Sequence, residues 1–346
     1  MPRSIGRAGF VFAVLGAFAL GLLVAHLVTR SDSPARSALS SAASASPTAG
    51  SVAADAVIVA AGDIACGAES SRAKCEQQAT SDLVIAQHPD AVLVLGDNQY
   101  ECGQIDDYKA YFDPTWGRFK DLIRPAIGNH EYRVGSDAEG ECGNIPSGAP
   151  GYWTYFGDSA SPQEPGCRLK CKGYYSYDVG AWHVITLNDE CTHVGGCEKG
   201  SPEETWLKSD LAAHPTACTL AYFHEPRWSS GSHGSITNSA AFWDDLYQAG
   251  AEVVLNGHEH DYERFAPQTP AGEADPDKGI REFVVGTGGR NHTGVSGKTG
   301  RIANSEVFDF KTFGVLKLTL HPDSYDWQFV PVPGGTFTDS GTERCH

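Results

Sequence analysis

From residue 55 onward, short apolar runs recur along the chain, and each closes on polar residues. "AVIVAAGD", "AVLVLGDN", "RPAIGNHE", "LAYFHEP" and "EVVLNGHEH" share this form, and β-prone runs closed by Gly-Asp or Gly-Asn read as strands ending in turns. Helical patterns lie between them, in "ATSDLVIAQHP", "SPEETWLKSDLAAH" and "SAAFWDDLYQAG". Strands alternating with helices predict an α/β arrangement. In the middle, "GYYSYDVGAWHVITLND" reads as an antiparallel hairpin, and the tail carries two more strands, "FGVLKLTL" and "YDWQFVPV". No linker-like stretch divides residues 53–346, so the pattern predicts one domain there.

The first 52 residues are different. Arg3 and Arg7 precede an apolar run from Ala8 to Val28, and Arg30 follows it. Residues 1–30 therefore read as a signal peptide or an N-terminal membrane anchor. An A-x-A site at Ala43–Ala45 lies well beyond the run, so cleavage and retention both stay open. Residues 31–52 are Ser/Ala/Pro-rich without an apolar period, which predicts a flexible linker. Either reading exports the rest of the chain, as a secreted protein or one tethered to the outer face of the cytoplasmic membrane. Membrane contact is then expected only through the N-terminal segment.

Composition sharpens this. The 346 residues carry a formal net charge of −17, which argues against a general nucleic-acid binder. Ten cysteines, an even count, fall in loop-like settings such as "CGAESSRAKC", "GCRLKCKG" and "ECTHVGGCEKG". C-x-x-C pairs are absent, so disulfides in an oxidising compartment are favoured over a zinc site. Cys66–Cys75 and Cys191–Cys197 are the shortest local pairings, and sequence leaves the pairing itself open.

The informative point is what the runs end on. Their ends carry Asp63; Asp97 with Tyr100; Asn129 with His130; His224; and His258 with His260. One Asp after a strand is an ordinary turn residue. Five such ends are hard to explain as turns, and α/β sheets gather ligands beyond the carboxyl ends of their strands. The set offers nitrogen and oxygen donors without thiolate, which suits a hydrolytic di-metal centre.

At these residues the sequence resembles the calcineurin-like metallophosphoesterases, and among them the purple acid phosphatases. "GDIAC", "GDNQY", "GNHE", "YFHEP" and "GHEH" stand in the family's order and span nearly all of residues 55–340. The resemblance implies two facing mixed β-sheets flanked by helices, with a binuclear metal site at the strand ends. Asp63, Tyr100 and His260 would hold the first metal, Asn129, His224 and His258 the second, and Asp97 would bridge them. Tyr100 marks the purple acid phosphatase branch, because a phenolate favours a hard ion such as Fe(III), paired with a divalent Fe, Zn or Mn. Asp63, Asp97 and phenolate Tyr100 bring three negative charges, and a bridging hydroxide one more. An Fe(III)–M(II) pair then leaves the immediate ligand set at plus one, able to hold a small anionic phosphoester on an acidic protein.

The reaction this implies is hydrolysis of phosphomonoesters by attack of a metal-activated water. His130, beside Asn129, would protonate the leaving group or stabilise the transition state. His233, in "SSGSHGS", matches the family's substrate-facing histidine. A phosphodiesterase acting on small diesters or nucleotides is the alternative within the same fold. A non-catalytic surface module whose metals only staple loops is the alternative outside catalysis. Oligomeric state is not legible. His183 reads as a satisfied sheet residue, and Glu259, Asp261, Glu263 and Arg264 as solvated loop charges, with Asp261 and Arg264 the ones expected to orient imidazoles. "SSRAK" and "GKTG" together resemble a penicillin-recognising serine site, but S-D-N is missing, and that reading is rejected.

Overall fold

All five apolar runs are strands. In the computed structural model, which describes residues 54–67, 75–137, 140–143, 145–293 and 300–346, they supply the parallel centre of two sheets. The N-terminal apolar run and the Ser/Ala/Pro-rich stretch lie outside the described residues. Among the described residues, no helix is long and apolar enough to cross a membrane.

The first sheet grows from β1 (Ala56–Ala61), β2 (Ala91–Leu95) and β3 (Ile123–Ala126). They run parallel, with Ile58 opposite Ala91 and Val92 opposite Ile123. All five residues of β2 are buried, as expected of a strand covered on both faces. Outside the main sheets, β4 (Gly135–Asp137) and β5 (Gly140–Gly143) form a small ladder of their own. The predicted hairpin is β6 (Tyr175–Val179) and β7 (Trp182–Thr186). It opens the second sheet, which continues through β8 (Thr219–Tyr222), β9 (Val253–Asn256), β10 (Tyr262–Phe265), β11 (Arg281–Val285) and β12 (Ser305–Asp309) in the order β12-β10-β11-β9-β8-β7-β6.

The tail strands β13 (Gly314–His321) and β14 (Ser324–Pro331) return to the first sheet, where β13 pairs antiparallel with β1. A further strand, β15 (Ser340–Arg344), completes the edge. It went unread in the sequence because "SGTER" holds no apolar residue; its pairing with β14 carries it instead.

Strand alternation decides the layers. Val184, Leu220, Val253 and Leu255 join Ile58, Val92, Leu93, Val94 and Leu318 in one core, so the two mixed sheets pack face to face. The intervening residues Ile185, Ala221 and Val254 form a second core with Leu207, Phe242, Trp243 and Leu246. Those four belong to helices that cover the second sheet. They are α4 (Pro202–Ala213) and α5 (Ala240–Ala249); α1 (Gln77–Ala86), which packs on the first sheet, α2 (Asn129–Tyr132) and α3 (Pro150–Phe156) precede them. Helix α4 starts where its sequence says it should: the Ser201 hydroxyl accepts from the Glu204 N–H, and Pro202 takes the first position.

All ten cysteines pair. Cys66–Cys75, Cys102–Cys142, Cys167–Cys171 and Cys191–Cys197 tie loops, and Cys218–Cys345 ties the entry to β8 to the exit from β15. Both local pairings expected from spacing are present.

Candidate metal centre

Chain turns aim most of the polar groups, while Asn129 and His130 sit on the one-turn helix α2. Asp63, Asp97 and His258 each take left-handed backbone angles, with φ of 59°, 48° and 69°. Side chains other than glycine pay for that conformation, so three such residues at three strand ends mark a demanding local geometry. Gly96, at φ 86°, permits close approach: a Cβ there would lie 2.5 Å from His224 Nδ1. Strand ends of the two sheets thus meet with backbone against imidazole.

The residues expected to serve the two metals form two groups. In the first, Tyr100 Oη lies 2.6 Å from Asp63 Oδ1 and 2.9 Å from His260 Nε2, and His260 Nε2 lies 3.3 Å from Asp63 Oδ1. In the second, Asn129 Oδ1 lies 3.0 Å from His224 Nε2 and 3.2 Å from His258 Nδ1, with the two imidazole nitrogens 3.3 Å apart. Asp97 stands between the groups. Its Oδ1 is 3.3 Å from His224 Nε2, and Asp63, Asp97 and His224 are close enough to share one cation.

The imidazoles are held with their outer nitrogens fixed. His224 Nδ1 donates to Leu95 O at 2.9 Å and His260 Nδ1 to Asn291 O at 2.6 Å, which turns each Nε2 inward. Carboxylates are anchored through backbone: Asp63 accepts from the His258 N–H at 2.8 Å, and Asp97 from the His130 N–H at 2.9 Å.

Electrostatics agree with a cation site. Asp63, Asp97, Tyr100 and His224 are essentially removed from solvent. Burial alone would raise the Asp97 carboxyl, yet His224 and then His130 hold it far below the usual range. Asp63 is also lowered, against burial, chiefly by His260. Burial and then Asp63 push the Tyr100 phenol well above its ordinary value. His258, buried beside His224, falls to about 4, so it stands neutral with a lone pair to give. The donor set therefore fits the implied metal pair: two clusters of carboxylate, phenol, amide and imidazole donors, spaced like the ligand edges around a small ion, with a carboxylate between them.

A cavity of about 370 Å³ opens over this arrangement, lined by Asp97, Asn129 and His258 together with His130, His233 and Arg290. His130 packs on the Tyr100 ring at 4.4 Å, its Nδ1 donating to Glu101 O at 2.7 Å, and its Nε2 lies 3.8 Å from Asp97. His233 stands across the cavity, its ring 4.8 Å from that of His258. Arg290 went unread in the glycine-rich loop after β11. It lies over the Tyr100 ring and pairs with Glu101, bringing a positive charge to the rim.

Two further carboxylates escaped the sequence reading, and a third, Glu259, was misread. Glu131, last residue of "GNHE", is buried and accepts from the N–H groups of Asp97, Asn98, Gln99 and Gly128 and from the Tyr108 hydroxyl. It ties the Asp97 loop to the Asn129 turn. Burial, followed by Asp97, raises its carboxyl to about 7. Asp189, after β7, accepts from the N–H groups of His224 and Glu225. Glu259 is fully buried and bonds the 232–234 segment.

Two expectations need correction. Glu259, Asp261 and Glu263 are not solvated loop charges but buried ones, because the segment after "GHEH" runs straight into β10 between neighbouring strands. Asp261, whose carboxylate takes no hydrogen bond among the described residues, orients no imidazole. Neither does Arg264. It bonds Asp339 and Glu306 and lies over Trp327, on the sheet rather than at the site.

A calcineurin-like phosphoesterase family model matches residues 55–262. Purple acid phosphatase 18 of Arabidopsis thaliana is 27% identical over 198 residues, covering 55% of this chain and 43% of the relative. Purple acid phosphatase 15 of the same plant is 26% identical over 240 residues, covering 61% and 42%. The chain thus spans less than half the length of these relatives. Among solved structures, the purple acid phosphatase PPD1 from yellow lupin (Lupinus luteus) seeds superposes with a TM-score of 0.66 at 19% identity, over 84% of this chain and 54% of that one. A structure of PhoD gives 0.56 at 13% identity, over 86% and 71%, and both likenesses speak for the fold alone.

Proposed function

The chain belongs to the calcineurin-like phosphoesterase family, and from that premise we propose that it is an exported binuclear-metal phosphatase hydrolysing small phosphomonoesters. The observation that carries this reading is the meeting of seven donor residues from five strand ends in two groups with Asp97 between them. Asp63, Tyr100 and His260 would hold one ion, Asn129, His224 and His258 the other, and Asp97 both. When bound, such a pair polarises phosphoryl oxygen and makes a water acidic enough to attack at phosphorus.

The chain's own residues do the rest. Leu95 O and Asn291 O fix the two imidazoles that face inward on Nε2. The neutral donors Asn129, His224 and His258 keep the site's charge positive once ions are present, which favours a phosphate dianion. His130 and His233 both line the cavity and would carry a proton to a departing oxygen. Arg290 adds a cation at the rim. A cavity of about 370 Å³ suits a small ester.

Tyr100 supports Fe(III) in the first site with a divalent Fe, Zn or Mn in the second, because only a highly charged ion offsets the penalty on its phenolate. Export is supported by the five disulfides and the N-terminal apolar run. Residues 53–346 are then the catalytic domain, preceded by a tether over 31–52 and a targeting segment or anchor over 1–30.

The test is a substrate panel on metal-loaded protein. Release of phosphate from 4-nitrophenyl phosphate, much faster than cleavage of bis(4-nitrophenyl) phosphate, is the expected result. Protein that holds a metal pair and cleaves the diester in preference would overturn the monoesterase reading, and protein that cleaves neither would overturn catalysis altogether.

A further inference from the structure

Glu259 sits between two proposed ligands, His258 and His260, but its carboxylate is spent on a different segment. Oε1 accepts from the backbone N–H of His233 at 2.5 Å and of Gly234 at 2.7 Å. Oε2 lies 3.2 Å from His233 Nδ1 and 3.4 Å from the Ser232 hydroxyl. The group is completely buried, whereas the His233 side chain it holds is 43% exposed. Gly231 completes the fit, since a Cβ at that position would overlap the Glu259 carboxylate. Burying a carboxylate is costly unless donors converge on it, and here the donors come from one short stretch beside the cavity. A strand-end turn needs none of this.

We infer that Glu259 is a positioning residue that fixes the ring of His233 and keeps a proton on Nδ1, so that the imidazolium form presents its Nε2–H to the leaving group of a bound phosphoester. The inference rests on the phosphatase reading above. A carboxylate bonded to one imidazole nitrogen sets the tautomer and aims the other nitrogen. His233 lines the cavity together with Asp97, Asn129 and His258, its ring 4.8 Å from that of His258. In the step this implies, the P–O bond to the leaving group breaks and its electron pair goes to the departing oxygen. The proton on His233 Nε2 passes to that oxygen, giving the alcohol. Water supplies the hydroxyl that joins phosphorus, and its other proton restores the imidazolium.

Esters differ in how much they need that proton. A nitrophenolate leaves readily without one, whereas an alkoxide does not. For zinc-loaded full-length protein, Glu259→Gln and His233→Ala should each lower kcat on glycerol phosphate by roughly a hundredfold, the scale of lost general acid catalysis. On 4-nitrophenyl phosphate the loss in kcat should be roughly tenfold smaller than on glycerol phosphate for both variants, with metal content unaltered. Glu259→Gln preserves shape and an acceptor for the backbone N–H groups, and Glu259→Asp should recover part of the glycerol phosphate activity. Equal loss on both esters with metals retained would overturn the inference, as would the split in His233→Ala without the split in Glu259→Gln.

A second readout does not depend on turnover or on Glu259→Gln folding well. In ¹⁵N–¹H spectra of the imidazoles, wild-type His233 should carry a slowly exchanging proton on Nδ1. A neutral His233 protonated on Nε2 alone would overturn the positioning role. Wild-type protein that shows the Nδ1 proton but hydrolyses no monoester would overturn the phosphatase reading instead.

Discussion

At Tyr100, burial and the neighbouring carboxylates of Asp63 and Asp97 all work against the phenolate. A hydroxyl in that setting keeps its proton unless a strongly positive ion takes its place. Tyr100→Phe removes only the oxygen, and the ring still packs on His130. Iron-loaded wild-type protein is expected to show a visible charge-transfer band, and the Phe variant to lose it while keeping its melting temperature in the metal-free state. A band that survives the substitution would remove Tyr100 from the ligand set. The seven residues that meet at the candidate site were legible in sequence because each follows an apolar run, a pattern that survives without coordinates. Glu131 and Glu259 were not, since the meaning of a carboxylate lies in which N–H groups surround it, and those come from residues up to 34 positions away.

Between elements, β7 and α4 are joined by a group outside the metal centre. His183 Nδ1 faces Asp178 at 3.0 Å and Nε2 faces Asp210 at 2.8 Å, while its ring stacks on His214 at 4.3 Å. Asp210 also accepts from the Ser176 hydroxyl. The cluster has metal-capable side chains, but carboxylates occupy both His183 nitrogens, so it reads as an imidazolium clamped between acids. Burial opposes that charge, yet Asp210 and Asp178 raise the His183 pKa. A raised folded pKa gives stability that is fully present below the unfolded value, ~6.5, and is lost as pH rises through the folded value. His183→Asn should therefore lower the urea midpoint more at pH 6 than at pH 9, and a penalty independent of pH would refute the clamp. Strand and helix types were readable here from pattern, and His183 was rightly taken as a satisfied sheet residue. Its partners were not readable, because Asp178 sits across a hairpin and Asp210 on a helix packed from the other side.

For the molecule as a whole, Cys218–Cys345 spans 127 residues of sequence and fastens the polar edge strand β15 to the start of β8 in the other sheet. Strand β15 is far in sequence from the proposed donors, whereas β8 leads to His224 two residues past its end. Replacing both cysteines with serine is expected to lower unfolding free energy by about 2–5 kcal/mol, read by denaturant titration, with metal content per chain unchanged. Loss of metal in that variant would mean that the site depends on the distant staple. The four shorter bridges close loops of 4 to 40 residues and should matter less one at a time.

The left-handed turns at Asp63, Asp97 and His258 set a limit on how this fold can be improved. Each position would rest more easily as glycine, by something on the order of 1 kcal/mol. Selection for heat resistance alone would thus tend to enrich glycine at those three places and discard the donors. Sturdiness and turnover pull in opposite directions there, and a screen blind to chemistry would return tougher, inert molecules.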